Sequence, residues 1–315
     1  MSVAADRLLG VVVLAYGAGR EHDALLDSLT ASGVAAESIL VVHNEATRGE
    51  APPPVPAGIE IVGTGGNLGY AGGMNLGLGL LLPRGYENVL LLTHDARLRP
   101  GALDALVAAR AREPRFGMLG PALVLTGTET PFSFGGVTDE EGANAHVKEP
   151  PAGVDGIFAC DWIDGGTMLV GREVFDRVGD FDAGFWGYCE EADLCLRARR
   201  AGFGVGVVLA AQADQAPGSA KRPGAWAYLT TRNGIEYAHR AAGARGLAAI
   251  TARSALIVAI NLARVVLRRT GLREGSPAEP WALAVGTARG ALDRYRGHWG
   301  PPPANLPGRG DVGDA

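Results

Sequence analysis

Three carboxylates lie within four positions of each other in the second half of the chain: Glu190, Glu191 and Asp193. Carboxylates this close repel each other, so the pKa of one of them can be held above its usual range. Such a carboxylate can accept a proton from a hydroxyl group as a general base. The structural alternative is that acidic residues stabilise the positive end of a helix, by about 0.3–1 kcal/mol each. The cluster alone favours the structural alternative.

A glycine-rich stretch, GTGGNLGYAGGMN, runs from Gly63 to Asn75 and leads into a predicted helix. Glycines permit positive φ and a close approach of backbone to a ligand, and free N–H groups at a helix start favour an anionic or polar ligand. The stretch is not G-x-G-x-x-G, follows the third predicted strand, and has no Walker lysine. These features argue against a dinucleotide oxidoreductase, a kinase and a nucleotidyltransferase.

The composition bounds the class of protein. The chain has 315 residues, is 47% hydrophobic and carries a formal net charge of −5, so it can bury a large core and presents no overall basic character for nucleic acid. Its three cysteines show no metal-ligand spacing, and their odd number favours a reducing cytoplasm. Asp6 and Arg7 interrupt the first residues, so we expect no signal peptide there.

The elements that must position these residues alternate between strands and helices in the first hundred residues. Apolar runs predict strands at 8–15, 38–43, 59–63 and 88–93, with helices following the first, third and fourth of them. This alternation predicts a doubly wound α/β sheet that binds its ligand at the carboxyl ends of the strands. From 116 onward short strands predict a mixed sheet, ending in a strand at 203–210.

Residues from about Ala225 are helical in pattern, and the Gly/Pro-rich segment 297–315 predicts a disordered tail. The most hydrophobic helix spans 254–267, where Arg253 and Arg264 bracket ten uncharged residues, too few to cross a bilayer. This helix could lie on a membrane surface with Arg264, Arg268 and Arg269 at the headgroups, or it could pack against the main domain.

Three stretches, in this order, resemble the family 2 glycosyltransferases, especially the bacterial branch that includes rhamnosyltransferases. The first is Asn67–Asn75, NLGYAGGMN, which is similar to that branch's N-x-G-[FY]-[AG]-x-G-x-N. The second, LLTHD, ends at Asp95, where the family has its D-x-D motif. The third is Gly165–Gly202, which contains the acidic cluster and is long enough to favour its catalytic interpretation. FSFGG at 132–136 and YLTTRN at 228–233 also resemble family segments.

The resemblance implies a GT-A fold and an inverting transfer of a sugar from a nucleoside diphosphate donor. The donor would be a dTDP- or UDP-sugar, with family analogy favouring rhamnose, and the acceptor a hydroxyl of a cell-envelope glycan or a secondary metabolite. The second acid of the family's E-D pair is the usual base, and here that position is Glu191. Glu190 and Asp193 would orient the acceptor or neighbouring arginines.

The resemblance also implies the remaining site residues. We expect the donor to contact residues that follow the parallel strands, namely Tyr16, His43, Asn44, Asn67, Gly69, Tyr70, Gly73, Asn75, Thr93, His94 and Asp95. We expect the acceptor to contact the aromatic and glycine residues around the acidic cluster, namely Trp162, Asp164, Gly165, Gly166, Trp186 and Tyr188.

The metal set departs from the family pattern. Thr93 replaces the first acid of D-x-D, and Gln215 aligns with a histidine that can ligate metal, which leaves Asp95 and Gln215 as the candidate ligands. We therefore expect Mg²⁺ or Mn²⁺ to be held weakly, with the donor diphosphate supplying most oxygens. His43 also stands where the family often has an aspartate that contacts the nucleoside.

The predicted organisation is a glycosyltransferase domain at 1–220, divided into a nucleotide-sugar half at 1–100 and an acceptor half at 101–220, followed by a helical region at 221–296. We expect a cytoplasmic enzyme. Peripheral contact with the inner face of the membrane and a homodimer are both left open. Two rivals remain: a non-catalytic sugar-nucleotide-binding protein of the same fold, favoured by the reduced metal set, and a membrane-surface scaffold based on the apolar helix.

Overall fold

The computed structural model describes residues 9–17, 22–150, 152–215, 223–270 and 272–307. These form two compact units. The first unit comprises Met1–Val137, Ala145–Asp182 and Glu191–Pro217, and the second comprises Thr138–Asn144, Ala183–Glu190 and Gly218–Ala315. The domain boundaries expected from the sequence remain predictions.

The first unit is built on a mixed sheet of ten strands. The strands are β1 (Leu9–Tyr16), β2 (Ile39–Asn44), β3 (Glu60–Gly63), β4 (Asn88–Thr93), β5 (Arg97–Leu98), β6 (Phe116–Leu125), β7 (Pro131–Ser133), β10 (Ile157–Ala159), β11 (Thr167–Gly171) and β12 (Gly204–Gln215). Their order is β10-β12-β6-β11-β4-β1-β2-β3, with β5 paired to β12 and β7 to β6. A separate ribbon consists of β8 (Gly136–Thr138) and β9 (Asn144–His146).

The parallel half of the sheet contains β3, β2, β1 and β4, as the apolar runs predict. Because these strands run in the same direction, the residues that follow them meet at one edge. The other half is mixed, since β11 is antiparallel to both β4 and β6, whereas β12 is parallel to β6. The predicted strand at 203–210 is longer than expected, because β12 continues past an irregularity to Gln215.

Helices cover both faces of this sheet. They are α1 (His22–Ala31), α2 (Gly69–Leu81), α3 (Ala102–Arg112), α4 (Arg172–Val178) and α5 (Glu190–Arg200). Val11 and Val13 of β1 belong to the buried cluster that includes the leucines of α1 and α3. Val12 points to the opposite face, where a Cβ added to Gly77 of α2 would come within 2.4 Å of its Cγ1. The alternation along β1 therefore places one helix layer on each face.

The second unit contains two long helices, α6 (Pro223–Arg269) and α7 (Ala278–Arg296), which pack along each other. Gly243 interrupts α6 with φ +62 and ψ −145, so α6 consists of two helical segments. Within the segment 297–315, which the composition predicts to be disordered, Leu306 is buried against Tyr228 and Leu229. Residues 308–315 lie outside the described part of the chain.

Among the described residues, one helix, α6, is long and apolar enough to cross a membrane by length and composition. The ten uncharged residues between Arg253 and Arg264 are too few to cross a bilayer, but α6 continues on both sides of them. Length therefore does not exclude a membrane span, and little of the helix's most apolar part is buried within the protein.

Candidate active site

The glycine-rich loop before α2 is held by the side chain of Asn44, which is buried at the end of β2. Its Nδ2 donates to Asn67 Oδ1 and to the Gly69 carbonyl, both at 3.2 Å. Its Oδ1 accepts from the Leu68 N–H at 2.8 Å. Asn44 therefore fixes the loop between β3 and α2 at the carboxyl edge of the sheet.

Three N–H groups of this loop are already used within the protein, which corrects the expectation that they are free for a ligand. The Leu68 N–H is bound by Asn44, the Gly69 N–H donates to Asn67 Oδ1 at 2.8 Å, and the Gly65 N–H donates to Glu45 Oε1 at 2.8 Å. Hydrogen bonds from the backbone N–H groups of Gly49 and Gly65 lower the pKa of Glu45. These three N–H groups are therefore not free for a ligand.

Two of the residues expected to bind the donor make contacts within the protein, and their role in donor binding stays a prediction. A Cβ on Gly73 would lie 2.4 Å from Leu14 Cδ1, so this glycine allows α2 to approach β1. Asn75 Nδ2 donates to the Phe181 carbonyl at 2.8 Å, and its Oδ1 accepts from the Phe181 N–H at 3.1 Å. These contacts join α2 to the segment after α4.

The ends of β1 and β2 place Tyr16 and His43 on the same edge. Tyr16 is 39% exposed, and its backbone nitrogen lies 3.5 Å from His94 Nδ1. His43 is buried, and its Nε2 lies 3.7 Å from Glu50 Oε2 without a hydrogen bond to any described residue. The Tyr16 side chain is exposed, and its stacking on a nucleobase stays a prediction.

The end of β4 is tied to the turn before β11. The Thr93 N–H donates to the Gly166 carbonyl at 3.1 Å, and the His94 N–H donates to the Leu14 carbonyl at 3.0 Å. Asp95 follows with an exposed side chain. The strand end therefore presents one carboxylate beside the glycine pair that precedes β11.

The described residues contain no group of three His, Cys, Asp or Glu side chains that could hold a metal ion. Asp214 is engaged by Arg99, whose Nε lies 3.0 Å from its Oδ1. The side chain of Gln215 lies outside the described part of the structure. The exposed Asp95 fits a site in which the nucleotide diphosphate supplies the other oxygens.

Gly165 lies between Tyr70 of α2 and Glu191, the predicted base. The Tyr70 hydroxyl at the start of α2 donates to the Gly165 carbonyl at 2.6 Å, and its ring packs edge-on against Phe181 with centroids 5.5 Å apart. A Cβ built on Gly165 would lie 3.1 Å from the Tyr70 hydroxyl and 3.5 Å from Glu191 Cβ. Gly165 therefore lets these two side chains approach from opposite elements.

The pKa of the Glu191 carboxyl is raised above its usual range. Its half-buried carboxylate loses solvation, and this burial, with the negative charge of Asp164 as a further contribution, raises its pKa to about 7. Burial also raises the pKa of Asp164. Burial is the main cause of the raised Glu191 pKa, and the neighbouring Asp164 carboxylate adds a smaller contribution in the same direction.

Asp164 belongs to a polar cluster that the sequence analysis did not identify. Ser133 Oγ donates to Asp164 Oδ2 at 2.7 Å and lies 3.0 Å from His146 Nδ1, which in turn lies 3.5 Å from Asp164 Oδ1. Burial lowers the pKa of His146 despite the opposing effect of Asp164. Ser133 lies within the FSFGG segment, whose resemblance was the available signal, whereas nothing in the sequence pairs it with His146.

Trp162 packs edge-on against His146, with ring centroids 4.8 Å apart. It is 5% exposed, and its indole N–H is buried without an acceptor among the described residues. An unpaired buried donor costs free energy, so an oxygen of a bound ligand would recover part of that cost. This feature is compatible with the predicted acceptor role of Trp162.

Asp193, the third acid of the cluster, is fully buried and binds Arg197 Nε at 2.8 Å through its Oδ2. The same arginine donates to the carbonyls of Val178 at 2.7 Å and Asp180 at 2.8 Å, which closes the end of α4. The first unit therefore uses Asp193 to join α5 to α4, while Glu191 faces Gly165.

The second unit holds the loop that leads into α5 and carries Trp186 and Tyr188. Trp186, Tyr188 and Cys189 have φ values of +65, +69 and +70, the positive values found for non-glycine residues in the described chain. Such conformations cost free energy and persist only where the surroundings impose them. Tyr188 is 47% exposed.

Two buried residues of α6 impose this conformation. Asn233 Nδ2 lies 2.7–2.9 Å from the carbonyls of Phe185, Gly187 and Tyr188. Arg232 donates to the carbonyls of Phe185 at 2.9 Å and Gly300 at 2.7 Å. The sequence analysis noted YLTTRN only as a resemblance and gave Arg232 and Asn233 no role.

The mixed sheet with helices on both faces is a GT-A fold. The chain matches the solved structure of GalNAc-T7 with UDP, GalNAc and Mn²⁺, with a TM-score of 0.55 and 13% identity over 74% of this chain and 48% of that one. It also matches the mannosyltransferase PcManGT from Pyrobaculum calidifontis in complex with GDP-Man and Mn²⁺, with a TM-score of 0.50 and 15% identity over 91% and 87%. The expected fold is confirmed.

Relatives that are similar in sequence indicate the family within the GT-A class. An uncharacterised protein of Mycobacterium tuberculosis is 31% identical over 62% of this chain and 69% of the relative. The N-acetylglucosaminyl-diphospho-decaprenol L-rhamnosyltransferase of the same species is 27% identical over 62% and 72%, and the rhamnosyltransferase WbbL of Escherichia coli is 43% identical over 56 residues. No family model matches the sequence. The chain belongs to the family 2 glycosyltransferases, on their rhamnosyltransferase-like branch.

Proposed function

We propose that this enzyme transfers a sugar, with inversion, from a nucleoside diphosphate donor to a hydroxyl of a lipid-linked cell-envelope glycan. The observation that carries the proposal is the Glu191 carboxylate, whose pKa is raised to about 7 beside Asp164 and which faces Gly165. A base with this pKa is ionised in an appreciable fraction at neutral pH and still accepts a proton readily.

In the proposed reaction the acceptor oxygen attacks the anomeric carbon of the donor sugar. Glu191 takes the hydroxyl proton, the new glycosidic bond forms, and the bond from the anomeric carbon to the diphosphate oxygen breaks. The nucleoside diphosphate leaves with the bonding electron pair. Attack from the face opposite the leaving group inverts the anomeric configuration. Burial keeps the proton affinity of Glu191 high, and the nearby Asp164 carboxylate adds to it.

The proposed donor is a dTDP- or UDP-sugar, with dTDP-rhamnose first because two relatives are named rhamnosyltransferases. Tyr16 would stack on the base at the carboxyl edge, beside the loop that Asn44 holds. A Mg²⁺ or Mn²⁺ ion bound with the diphosphate would neutralise charge on the leaving group. Asp95 is the residue placed to hold it, and the solved neighbours, which contain Mn²⁺, support divalent metal use in this fold.

The proposed acceptor is a polyprenyl-diphosphate-linked sugar, since one relative is named for the acceptor N-acetylglucosaminyl-diphospho-decaprenol. A secondary-metabolite hydroxyl is the other acceptor that the family resemblance allows. The buried indole N–H of Trp162 supports an acceptor oxygen near the Asp164 cluster. A lipid-linked acceptor places the enzyme in the cytoplasm at the inner face of the membrane.

The second candidate function is binding of a sugar nucleotide without transfer. The reduced metal set favours it, because Asp95 is the one carboxylate at the D-x-D position and Asp214 is engaged by Arg99. Glu191 opposes it, because carboxylates with raised pKa values are enriched at catalytic sites.

A panel of nucleotide sugars tests both functions. We expect dTDP-rhamnose or a UDP-sugar to raise the melting temperature, since a ligand at 100 times its Kd adds about 2.7 kcal/mol to the free energy of unfolding. The selected donor is then incubated with a short-chain polyprenyl-diphospho-N-acetylglucosamine, and nucleoside diphosphate release is measured. Stabilisation without release would favour the binding protein, and no stabilisation by any nucleotide sugar would contradict both functions.

A further inference from the structure

The second helical segment of α6 presents an apolar face that the second unit does not cover. Leu256 is 61% exposed and Val266 is 58% exposed. The other large apolar side chains exposed on this segment are Ile257, Ile260, Leu262 and Leu267. A contiguous apolar surface of this kind marks an interaction site more often than it occurs on an inert surface.

The opposite side of the same segment is packed. Ser254, Asn261 and Val265 are buried. On that side Thr251 bonds to Tyr295 of α7 at 2.8 Å. At about 100° per residue, the side that faces away from these residues is uncharged over about 160° of the helix circumference. It consists of Ala252, Ala255, Leu256, Ala259, Ile260, Leu262, Ala263, Val266 and Leu267.

Arginines flank this face. On the same helical projection Arg253 and Arg264 border one side and Arg269 borders the other, while Arg268 and Arg273 lie at the end of the segment. No aspartate or glutamate occurs between Glu236 and Glu274, although the whole chain carries a net charge of −5. Arg253 pairs with Glu141 at 2.8 Å and lies 3.8 Å from Asp139, so the positive charge beside the apolar face rests mainly on Arg264 and Arg269.

The turn between α6 and α7 adds two exposed apolar residues. Leu272 is 77% exposed, and Trp281, in the first turn of α7, is 45% exposed. Tryptophan is enriched where protein meets the boundary between headgroups and acyl chains. An apolar helix face bordered by arginines and ending near a tryptophan has the composition of a helix that lies in a membrane interface.

Two other arrangements fit these residues less well. A helix across the bilayer would carry Arg253 and Arg264 into the hydrocarbon or close to it, at a cost of about 2.5–3.5 kcal/mol for each arginine at the centre. A second copy of the chain would bring the same arginines against each other. An anionic lipid surface accepts both the apolar face and the flanking charges.

We propose that residues 252–270, with Leu272 and Trp281, form a membrane-docking surface that binds the interface of an anionic phospholipid bilayer, with the apolar face of α6 immersed and Arg264 and Arg269 at the headgroups. This inference deepens the proposed function and rests on it for its purpose, because a polyprenyl-linked acceptor lies in the same membrane. The contact itself is independent of transfer.

Vesicle flotation of the full chain tests the docking surface. We expect co-flotation with vesicles of phosphatidylglycerol and phosphatidylcholine in equal parts, weak flotation with phosphatidylcholine alone, and release at high salt. Leu256→Asp and Val266→Asp should each weaken binding about tenfold or more, because each loses the burial of one large aliphatic side chain. Arg264→Gln and Arg269→Gln should each weaken binding to the anionic vesicles about fivefold.

Leu80→Asp is the matched control, since Leu80 is a 38% exposed leucine on α2, and it should float like the unaltered protein. Circular dichroism confirms that each variant is folded. The proposal is overturned if the unaltered protein does not float with anionic vesicles, if the aspartate variants float equally well, or if binding resists high salt. It is also overturned if Leu256→Asp dissociates a dimer seen by light scattering. Transfer without flotation would retain the proposed function, and flotation without transfer would retain only the docking surface.

Discussion

At the scale of single residues, the three acids of the cluster divide their roles. Glu191 faces Gly165 and has its pKa raised to about 7, whereas Asp193 is fully buried against Arg197. Glu190, at the start of α5, is buried within the second unit. Spacing alone could not separate these roles, because the direction of each side chain depends on elements distant in the sequence.

The raised pKa of Glu191 predicts a pH-dependent effect on stability. The folded protein binds the Glu191 proton more tightly than the unfolded chain, whose pKa is near 4.5, so this group stabilises the fold below pH 4.5 and the contribution is lost as pH rises through about 7. Above about pH 7 the ionised Glu191 carboxylate therefore lowers the stability of the fold, and Glu191→Gln removes this cost. We therefore expect the variant to melt at a higher temperature than the unaltered protein at pH 8, with the difference shrinking towards pH 5.

Calorimetric melting across this pH range measures the effect. Glu37→Gln is the control, because Glu37 is an exposed acid in the turn before β2. Asp164 contributes in the same direction, so some pH dependence should remain in Glu191→Gln. Equal melting differences at pH 5 and pH 8 would show that the Glu191 pKa is not raised.

At the scale of elements, the sequence predicted the parallel strands and α2 well, since each is marked by a long apolar run or by the glycines that precede it. It did not predict how the glycine-rich loop is held, because Asn44 follows a different strand and its bonds to Asn67 and Leu68 depend on the register of the sheet. For the same reason Ser133, His146 and Asp164 meet without any local pattern.

The junction between α5 and α4 predicts a structural role for Asp193. Asp193→Ala should lower the free energy of unfolding by about 1–3 kcal/mol, because it removes a buried partner of Arg197. Asp176→Ala is the matched control, since Asp176 pairs with Arg172 at 3.5 Å but is 61% exposed, and it should cost less than about 1 kcal/mol.

Urea unfolding and transfer kinetics together check this role. We expect the folded Asp193→Ala enzyme to retain the donor Kd and most of its transfer rate. A stable variant with transfer reduced as strongly as in Glu191→Gln would instead identify Asp193 as the base.

The hydrogen bonds from α6 to the loop that carries Trp186 and Tyr188 predict a separate effect on acceptor binding. Asn233→Ala removes the amide that bonds to the carbonyls of Gly187 and Tyr188 and leaves the Phe185 carbonyl with Arg232, so it should lower the free energy of unfolding by about 1–3 kcal/mol. Because this loop carries Trp186 and Tyr188, we also expect the KM for the acceptor to rise while the donor Kd is unchanged.

Asn261→Ala is the control for this loop, since Asn261 lies on the same helix and bonds to residues of that helix, donating to the Ile257 carbonyl at 3.0 Å and accepting from Arg264 at 3.4 Å. It should leave the acceptor KM unchanged. An Asn233→Ala variant with an unchanged acceptor KM would remove the loop from the acceptor site.

At the scale of the whole molecule, the family resemblance predicted the GT-A class, which the solved neighbours confirm. The exposure of the apolar face of α6 required the structure, because an amphipathic pattern does not show which side of a helix its neighbours cover. The packing of Leu306 also required it, since a Gly/Pro-rich composition gives no local signal for burial.

Asp95 is the one carboxylate expected to hold the metal, so we expect divalent cations to bind mainly together with the nucleotide. Calorimetric titration of Mg²⁺ and Mn²⁺ into the nucleotide-free protein should give weak heats, because the described residues offer no three-ligand group. In the presence of the nucleoside diphosphate the metal should bind more tightly, and Asp95→Asn should reduce that gain. Tight binding to the nucleotide-free protein would mean that other ligands hold the metal.

The central claim is that this protein is an active glycosyltransferase with Glu191 as its base. The most direct measurement is the rate of nucleoside diphosphate release from the selected donor in the presence of the lipid-linked acceptor, for the unaltered protein and for Glu191→Gln. The account predicts turnover by the unaltered protein and a loss of about 10²–10⁴-fold in the variant, because the general base is removed while the donor Kd stays unchanged. A Glu191→Gln enzyme that transfers at the unaltered rate would contradict the account, as would an unaltered protein that binds the donor and never turns over.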